Sequence, residues 1–555
     1  MCRNVITLSA LLVLLLSTRA QAVQYAYQVT FTDKNNTPFS LSSPGAYLSS
    51  RALARRTAQG ISVDSSDLPV NKVYIDSVLA LTGGKIHSVS RWLNLCVILV
   101  PDSAQMNNLN GKTFIAGRKF VAYYAGILHR TVSSGSQAAA MPAANKTTAF
   151  DATFYGNTWS QTLQVSGNYL HSNGHLGSGK LIAVFDAGFI GTNTHTGFDS
   201  MRNAGRLLDT HNFTLDNNTV YSYDDHGTKA LSTMAGYVPG AFVGSAPLAS
   251  YALYVTEDGN SEQPIELLNM LSATERADSL GVDIVSSSLG YNTFPDFPSA
   301  NLVFATDLDG KTTIAAQAAN IATRKGMLFV TSAGNEGGNS WNKILTPGDA
   351  DSALTIGNVD LSGNVAANSG YGPNAAGQVK PDVCVLGQPA GILTVTGFGF
   401  ESGTSFSTPQ VAGWAACLWE TKPASSPYQV RQAIIKCASH YTTPTDHIGY
   451  GIPDFRCTAD ILRVTPLPGY GLAWVAAMPN PFTGDLTLNI TGDSDQYVDM
   501  QLVDVTGKMV FTTSIAVYRG YNAPISVSAG FLPKGVYILR AASATRTQVL
   551  KLEKL

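Results

Sequence analysis

Apolar residues cluster in three short runs in the middle of the chain, at residues 181–185, 282–286 and 327–331. Runs of this length are typical of strands that are buried on both faces of a sheet. A stretch with helical spacing, residues 310–325, leads into the last run. Strands that alternate with helices predict an α/β domain with a doubly wound, mostly parallel sheet, which we place at residues 148–465. In such sheets the functional groups collect just beyond the carboxyl ends of the strands.

The preceding region, residues 23–135, has a different pattern. Short β patterns at 25–31 and 97–100 flank one basic helix, predicted across 49–60 and ended by its glycine. From 131 to 148 the chain becomes rich in Ser, Gly and Ala, which indicates a flexible, protease-accessible connector. We therefore predict a separate N-terminal domain of mixed α and β structure.

The last region begins after the Pro-Leu-Pro-Gly segment at 466–469 and shows apolar residues at every second position. Such alternation predicts strands with one buried face, and turn signals at 506–508 and 533–535 separate them. We predict a C-terminal β-sandwich over residues 474–555. The positions with this alternation are Leu486, Leu488, Ile490, Val498, Met500, Leu502, Val536 and Ile538.

The N-terminus has the pattern of a signal peptide over residues 1–22. Arg3 precedes an apolar run at 8–16, and small residues at 20–22 suit a cleavage site. No later run reaches the length of a membrane span. We expect an exported mature chain without a transmembrane segment.

Charged residues make up 13% of the chain and the formal net charge is −2, so no basic face for nucleic acid is expected. The arginine-containing run at 51–56 is interpreted as one solvated face of the basic helix. We therefore predict no nucleic-acid partner.

Four of the six cysteines, Cys384, Cys417, Cys437 and Cys457, fall in the predicted α/β domain. They permit up to two disulfides, in any of three pairings, or four small buried thiols. None has the close Cys-x-x-Cys spacing of a zinc site.

Ser405 is the first candidate for chemistry, because it lies at the predicted start of a helix. The segment 403–409 precedes a small, apolar stretch at 410–418, which indicates a buried helix. At a helix start, unpaired backbone N–H groups and the positive end of the dipole converge, and both would stabilise an oxyanion beside the serine. The structural alternative is an ordinary N-cap serine.

Three further polar residues share this kind of position. Asp186 follows the run at 181–185, Asn335 follows the run at 327–331, and His226 lies at a predicted helix start. A serine nucleophile needs a base and a carboxylate that orients the base. Each residue alone is also compatible with a turn or a cap.

Together these segments resemble the subtilisin-like serine peptidase family over roughly residues 150 to 460. The matching motifs are Asp-Ala-Gly at 186–188, His-Gly-Thr at 226–228, Ala-Gly-Asn at 333–335 and Gly-Thr-Ser-Phe-Ser-Thr-Pro at 403–409. The chain order Asp, His, Ser is also the subtilisin order.

The resemblance implies a role for each residue. Asp186 would orient the base, His226 would act as general base and acid, Ser405 would be the nucleophile, and Asn335 would donate to the oxyanion. The expected reaction is hydrolysis of peptide bonds in protein or peptide substrates through an acyl-enzyme. Catalysis would need no cofactor. The resemblance also leaves structural calcium open, since it is common in the family, but no acidic loop identifies a site here and we name no metal ligands.

Two segments resemble the family's substrate-binding strands. The residues concerned are Ser288, Leu289 and Gly290 on one side and Ser332, Ala333 and Gly334 on the other. Familiar subtilisins have a second glycine after the first segment, whereas this chain has Tyr291. We expect Tyr291 to narrow or redirect the subsites on the acyl side of the scissile bond.

The flanking regions also carry resemblances. Residues 23–135 resemble the pro-regions of exported bacterial subtilisin-like enzymes, which implies a zymogen; a permanent accessory domain is the alternative. Residues 474–555, with Met-Pro-Asn-Pro-Phe at 478–482, resemble the sorting domain of the type IX secretion system. This implies contact with the secretion machinery of a Gram-negative bacterium, followed by release or surface attachment; an ordinary binding module is the alternative.

Two other functions are alternatives to that of a peptidase. One is a catalytically inactive scaffold that binds proteins or glycans, which would not need all four polar groups. The other is an esterase that uses the same groups, although the segment at 288–290 implies an extended peptide substrate.

Overall fold

The computed structural model describes residues 23–124, 150–463, 475–492, 496–517, 520–544 and 546–555. The predicted signal peptide at 1–22, the connector at 131–148 and the segment at 466–469 lie outside these ranges. Within the described ranges, no helix has both the length and the apolar character needed to span a bilayer.

The middle of the chain forms an α/β domain around a parallel sheet of seven strands. The strands of the whole domain are β5 (Leu181–Asp186), β6 (Leu207–Asn212), β7 (Tyr237–Val238), β8 (Phe242–Val243), β9 (Ser250–Val255), β10 (Ile284–Ser287), β11 (Leu328–Ser332), β12 (Leu354–Asp360), β13 (Val383–Gln388), β14 (Ala390–Leu393) and β15 (Phe398–Glu401). The seven strands of the parallel sheet have the order β13-β12-β11-β10-β5-β9-β6. Its helices are α3 (Ala152–Tyr155), α4 (Trp159–Gln164), α5 (Asn168–Ser172), α6 (Asp199–Asn203), α7 (His226–Ala235), α8 (Ile265–Leu280), α9 (Phe304–Asp307), α10 (Ile314–Arg324), α11 (Thr404–Thr421), α12 (Pro427–Lys436) and α13 (Phe455–Arg463). The three predicted apolar runs are β5, β10 and β11, which confirms the doubly wound α/β fold class.

Both faces of this sheet are covered, because alternate residues of each strand enter different cores. Ile182 and Val184 of β5 pack with helices α7 and α11, whereas Ala183 and Phe185 pack with α8 and α10. Helix α10 begins four residues later than predicted, since Asp309 caps the turn at 310–312 before Thr313 caps the helix.

The N-terminal region forms a four-stranded antiparallel sheet in the order β2-β3-β1-β4. Its elements are β1 (Gln24–Phe31), α1 (Ser50–Ala58), α2 (Lys72–Thr82), β2 (Lys85–Ser90), β3 (Leu95–Val100) and β4 (Ile115–Tyr124). Helix α1 is the predicted basic helix, and the Ser49 side chain caps it by accepting from the backbone N–H of Ala52. The prediction of one helix was incomplete, because α2 also forms.

The basic helix is not a solvated face, which corrects the prediction for residues 51–56. Arg55 and Arg56 are buried against the α/β domain, with exposed fractions of 7% and 1%. Their guanidinium groups contact the carboxylate of Asp278 on α8 at 2.6 and 2.7 Å. The N-terminal region also adds apolar residues, Trp92 and Val97 among them, to the core that contains α8 and α10.

The C-terminal region is a two-sheet β-sandwich, as predicted. One sheet has the order β16-β17-β20 and the other β19-β18-β21-β22. The strands are β16 (Val475–Met478), β17 (Leu486–Gly492), β18 (Gln496–Asp504), β19 (Met509–Val517), β20 (Gly520–Val527), β21 (Gly535–Ala542) and β22 (Thr547–Lys554). The predicted inward residues of β17 and β18 are buried, but in β21 the buried set is Tyr537, Leu539 and Ala541 rather than Val536 and Ile538.

One disulfide joins Cys437, at the end of α12, to Cys457 on α13. Cys384 and Cys417 are buried free thiols. The structure therefore selects one bridge from the pairings that the sequence left open.

Candidate active site

Asp186 and His226 form an ion pair at the carboxyl edge of the central sheet. Asp186 is the last residue of β5, where the strand order reverses between β10 and β9, and its side chain is fully buried. Its Oδ1 lies 2.8 Å from Nδ1 of His226, whose side chain remains 32% exposed. The carboxylate thus fixes the ring while the other edge of the imidazole is left for a reacting group.

A glycine permits this close approach. Gly227 follows His226 in the first turn of α7, and a Cβ atom there would lie 2.4 Å from the carbonyl oxygen of Gly188 and 2.8 Å from Cβ of Asp186. Any side chain would therefore push the start of α7 away from the Asp186 loop. The start of α7 is therefore packed tightly against this loop.

Negative charge surrounds the imidazole. Burial disfavours the charged ring, but the charge and hydrogen bond of Asp186, with further contributions from Glu257 and Asp224, raise the pKa of His226 to about 9. Asp224 also accepts from the backbone N–H of His226 at 2.7 Å, a bond that holds the backbone at the start of α7.

Ser405 is the second residue of α11 and is 6% exposed. Pro409 lies at the sixth position of this helix. Because proline has no backbone N–H, the carbonyl of Ser405 lacks its usual helix hydrogen bond from the residue four positions later. The hydroxyl of Ser288 donates to that carbonyl instead, at 2.8 Å. The proline therefore leaves room for a bond that ties the start of α11 to the end of β10.

His226 lies beside the start of α11, but the Ser405 hydroxyl is not bonded to it. The centroid of the imidazole is 5.6 Å from that of Phe406, which follows Ser405. The Ser405 hydroxyl donates to the carbonyl of Ser288 at 3.3 Å. Catalytic hydrogen bonds are often long or misaligned in free enzymes and tighten in the substrate complex. Here the bond to the imidazole requires the Ser405 side chain to rotate away from Ser288.

Asn335 lies beside the start of α11. Its Oδ1 accepts from the backbone N–H and the hydroxyl of Thr404, at 2.9 and 3.1 Å. These bonds orient the amide and leave its Nδ2 as the group that can donate to an oxyanion. Gly403, with φ 156° and ψ 156°, occupies a conformation that glycine alone adopts readily and lies against the Asn335 amide.

The two predicted substrate segments lie side by side. The Ser332 hydroxyl donates to the carbonyl of Leu289 at 3.2 Å. Leu345 packs against both segments, at Gly290 and at Gly334. A Cβ atom on either glycine would lie within 2.8 Å of the Leu345 side chain. No sequence motif pointed to Leu345. Ala333 is buried between β12 and Leu345, whose N–H bonds its carbonyl at 3.1 Å. The substrate-binding roles of these residues stay predictions.

Tyr291 is buried rather than directed into an open cleft. Its exposed fraction is 2%, and its backbone N–H and carbonyl pair with Thr346. Its hydroxyl has no hydrogen-bond partner. The expectation that Tyr291 narrows or redirects the acyl-side subsites stays a prediction.

No group of three or more His, Cys, Asp or Glu side chains in the described ranges has the geometry to hold a metal ion. The expectations about calcium and about catalysis without a cofactor stay predictions.

Three protein-family models match the chain, in agreement with the three resemblances. Residues 177–451, which include all four candidate catalytic groups, match the Subtilase family, Peptidase_S8. Residues 26–137 match the Peptidase S8 propeptide domain of Bacteroidota. Residues 476–554 match the Secretion system C-terminal sorting domain.

Curated relatives include several subtilisins. Subtilisin BL of Lederbergia lenta is 29% identical over 270 residues, which are 48% of this chain and 87% of that protein. Subtilisin E of Bacillus subtilis is 27% identical over 300 residues, which are 53% of this chain and 70% of that protein.

Among solved structures, the epidermin leader peptide processing serine protease EpiP of Staphylococcus aureus has a similar fold. The TM-score is 0.53 with 14% identity, and the match covers 80% of this chain and 99% of that one. This likeness supports the subtilisin-like architecture alone.

Proposed function

Because residues 177–451 are a peptidase domain of the subtilase family, we propose that this chain is a zymogen of a secreted endopeptidase whose catalytic triad is Asp186, His226 and Ser405. The chain is a subtilisin-type serine peptidase with a propeptide domain and a type IX sorting domain, and the sorting domain directs it to export, with release or surface attachment. What we propose beyond this family membership is the identity of the three catalytic residues and the activation of the chain by removal of its propeptide. The observation that carries it is the 2.8 Å bond between His226 and Asp186 beside the helix that begins with Thr404 and Ser405.

The proposed reaction begins when His226 takes the proton from the Ser405 hydroxyl, which attacks the scissile carbonyl. Asp186 holds the ring through Nδ1 and stabilises the imidazolium that forms. The oxyanion receives hydrogen bonds from Nδ2 of Asn335 and from the backbone N–H of Ser405. His226 then gives its proton to the leaving amine, and water hydrolyses the acyl-enzyme by the same steps.

A fluorophosphonate probe tests the proposal, since it reacts with an activated serine. We expect the processed protein to be labelled, and peptide mapping to place the label on Ser405. Absence of labelling would support the inactive scaffold, and a label on Ser407 would assign the nucleophile to another residue.

Substitution of Asn335 by alanine should lower kcat for peptide hydrolysis by about 10²–10³-fold, because removal of one oxyanion donor costs this much in a subtilisin. KM should change little, since the bond forms mainly in the transition state. The matched control is Asn173→Ala, which removes an exposed amide that bonds only the nearby carbonyl of Tyr169. Steady-state kinetics that find equal turnover in both variants would remove Asn335 from the mechanism.

The pH profile of kcat/KM should have an acidic limb near pH 9, because only a neutral imidazole accepts the Ser405 proton and the pKa of His226 is raised to about 9. Activity should therefore fall about tenfold for each pH unit below that value. Asp186→Asn removes the main charge that raises this pKa and should move the limb to lower pH. A limb near the ordinary imidazole value of about 6.5 in the unaltered enzyme would contradict this account.

A further inference from the structure

Among the residues that the structure describes, three glutamates next to the candidate active site form no ion pair with a lysine or arginine. Glu257 and Glu262 lie in the loop between β9 and α8, and Glu266 is the second residue of α8. We call these three residues the carboxylate trio. Between residues 207 and 275 the sequence has nine Asp and Glu but a single Lys or Arg, Lys229. That lysine is already paired with Asp225 and Glu401, at 3.2 and 2.8 Å.

Buried carboxylates are normally paired with a cation, because removal of their charge from water is costly. Glu266 is only 2% exposed, and its Oε2 has no hydrogen-bond partner. Among the described residues, no Lys or Arg forms an ion pair with any member of the trio. Burial and the neighbouring carboxylates raise the pKa of Glu257 to about 8 and that of Glu266 well above its usual value.

A second buried polar group without a partner lies close to the same three carboxylates. Tyr291 is 2% exposed, and its Oη has no hydrogen-bond partner. Burial is the main cause of the raised pKa of this phenol, and the charges of Glu257, Glu266 and Glu262 are the next causes, in that order. The hydroxyl is therefore an unused polar group in the surroundings of the trio.

The loop that carries Glu257 and Glu262 is fixed directly to the catalytic groups. The backbone N–H of Thr256, which precedes Glu257, donates to the carbonyl of Asp186 at 3.1 Å. Gly259 lies beside the Asp224 carboxylate that caps His226. A side chain bound at Glu257 would therefore belong to a substrate residue close to the bond that is cleaved.

The same loop already binds an extended peptide backbone. The side-chain amide of Gln263 accepts from the N–H of Tyr123 at 2.7 Å and donates to its carbonyl at 3.0 Å. Tyr123 lies near the end of β4, the last strand of the N-terminal region. A peptide held in this way passes next to Glu262, its sequence neighbour.

We propose that the carboxylate trio and the Tyr291 hydroxyl bind the side chain of a lysine or arginine on the acyl side of the scissile bond, and so select basic substrates. This inference depends on the proposed peptidase function. A guanidinium or ammonium group supplies the missing positive charge and several donors, both to the carboxylates and to the phenol oxygen. A metal ion fits less well, because no three ligands in the described ranges have metal-binding geometry.

The test uses processed enzyme and fluorogenic peptides that differ at one acyl-side position, with arginine, lysine, norleucine or glutamine. At one of these positions we expect kcat/KM to be about 10- to 100-fold higher for the basic peptides, the range expected for hydrogen bonds to a charged group. Glu266→Gln should lower the ratio of arginine to norleucine kcat/KM by about tenfold or more. Tyr291→Phe should lower it less, and serves as the second variant if Glu266→Gln is not processed.

Glu420→Gln is the matched control, because it makes the same change of charge near the far end of α11, where Glu420 accepts from the N–H groups of Gly177 and Ser178. Its ratio of arginine to norleucine kcat/KM should equal that of the unaltered enzyme.

The outcomes of the test separate this inference from the peptidase function. Equal cleavage of basic and neutral peptides, by an enzyme that a fluorophosphonate labels, would overturn this inference and leave the peptidase function standing. Absence of labelling would instead remove the function on which it depends. If calcium chloride alone raised the Tm of the unaltered enzyme but not of Glu266→Gln, and no basic preference appeared, the trio would be a metal site and the inference would be wrong.

Discussion

Ser405→Ala is expected to lower kcat for peptide hydrolysis by about 10⁶-fold, the loss that removal of the nucleophile causes in a subtilisin. The residual rate would come from substrate binding and the oxyanion donors, which do not need the hydroxyl. If the chain processes itself, the variant should also accumulate with its N-terminal region still attached. Kinetics with a fluorogenic peptide and the molecular mass of the purified chain measure both effects.

Ser407→Ala is the control for this experiment, because Ser407 is buried two residues further along the same helix. Its hydroxyl donates to the carbonyl of Val385 at 3.1 Å, so it is already used in a structural bond. Its loss should cost only the roughly 1 kcal/mol of an ordinary hydrogen bond in stability. Full activity in Ser405→Ala, or a loss of about 10⁶-fold in Ser407→Ala instead, would reject Ser405 as the nucleophile.

The elements that position the site could be predicted because their signals are local. β5 is a short apolar run that ends in Asp186, and β11 is a similar run that ends three residues before Asn335. A parallel sheet brings such strand ends to one edge, whatever their separation in sequence. The motif resemblance then connected these residues to His226 and Ser405.

Features that depend on distant contacts could not be predicted in this way. The arginines of α1 have the spacing of a solvated face, and their buried partner Asp278 lies more than 220 positions away. In β21, every residue from Val536 to Ala541 except Arg540 is apolar or aromatic, so alternation could not decide which face is buried. The carboxylate trio escaped notice because charged residues in a loop usually face solvent.

Asp278 is the centre of the contact between the N-terminal region and the peptidase domain. Three guanidinium groups meet its fully buried carboxylate, from Arg55 at 2.6 Å, Arg56 at 2.7 Å and Arg91 at 2.7 Å. Arg56 also forms two bonds with Asp67, and Arg91 lies beside Glu275. Arg55 has no other carboxylate partner and bonds only the carbonyls of Val282 and Lys325.

Asp278→Asn should therefore lower the free energy of unfolding of the unprocessed chain by about 3–5 kcal/mol, the usual cost of a buried charge that loses its partner. The measurement is urea unfolding in the Ser405→Ala background, which keeps the N-terminal region attached. The control is Asp76→Asn, which breaks the exposed Lys72–Asp76 pair and should cost less than about 1 kcal/mol. Because Arg55 is the residue left unpaired, Arg55→Met combined with Asp278→Asn should recover most of the loss. Equal effects of Asp278→Asn and Asp76→Asn would show that the buried arginines do not hold the two regions together.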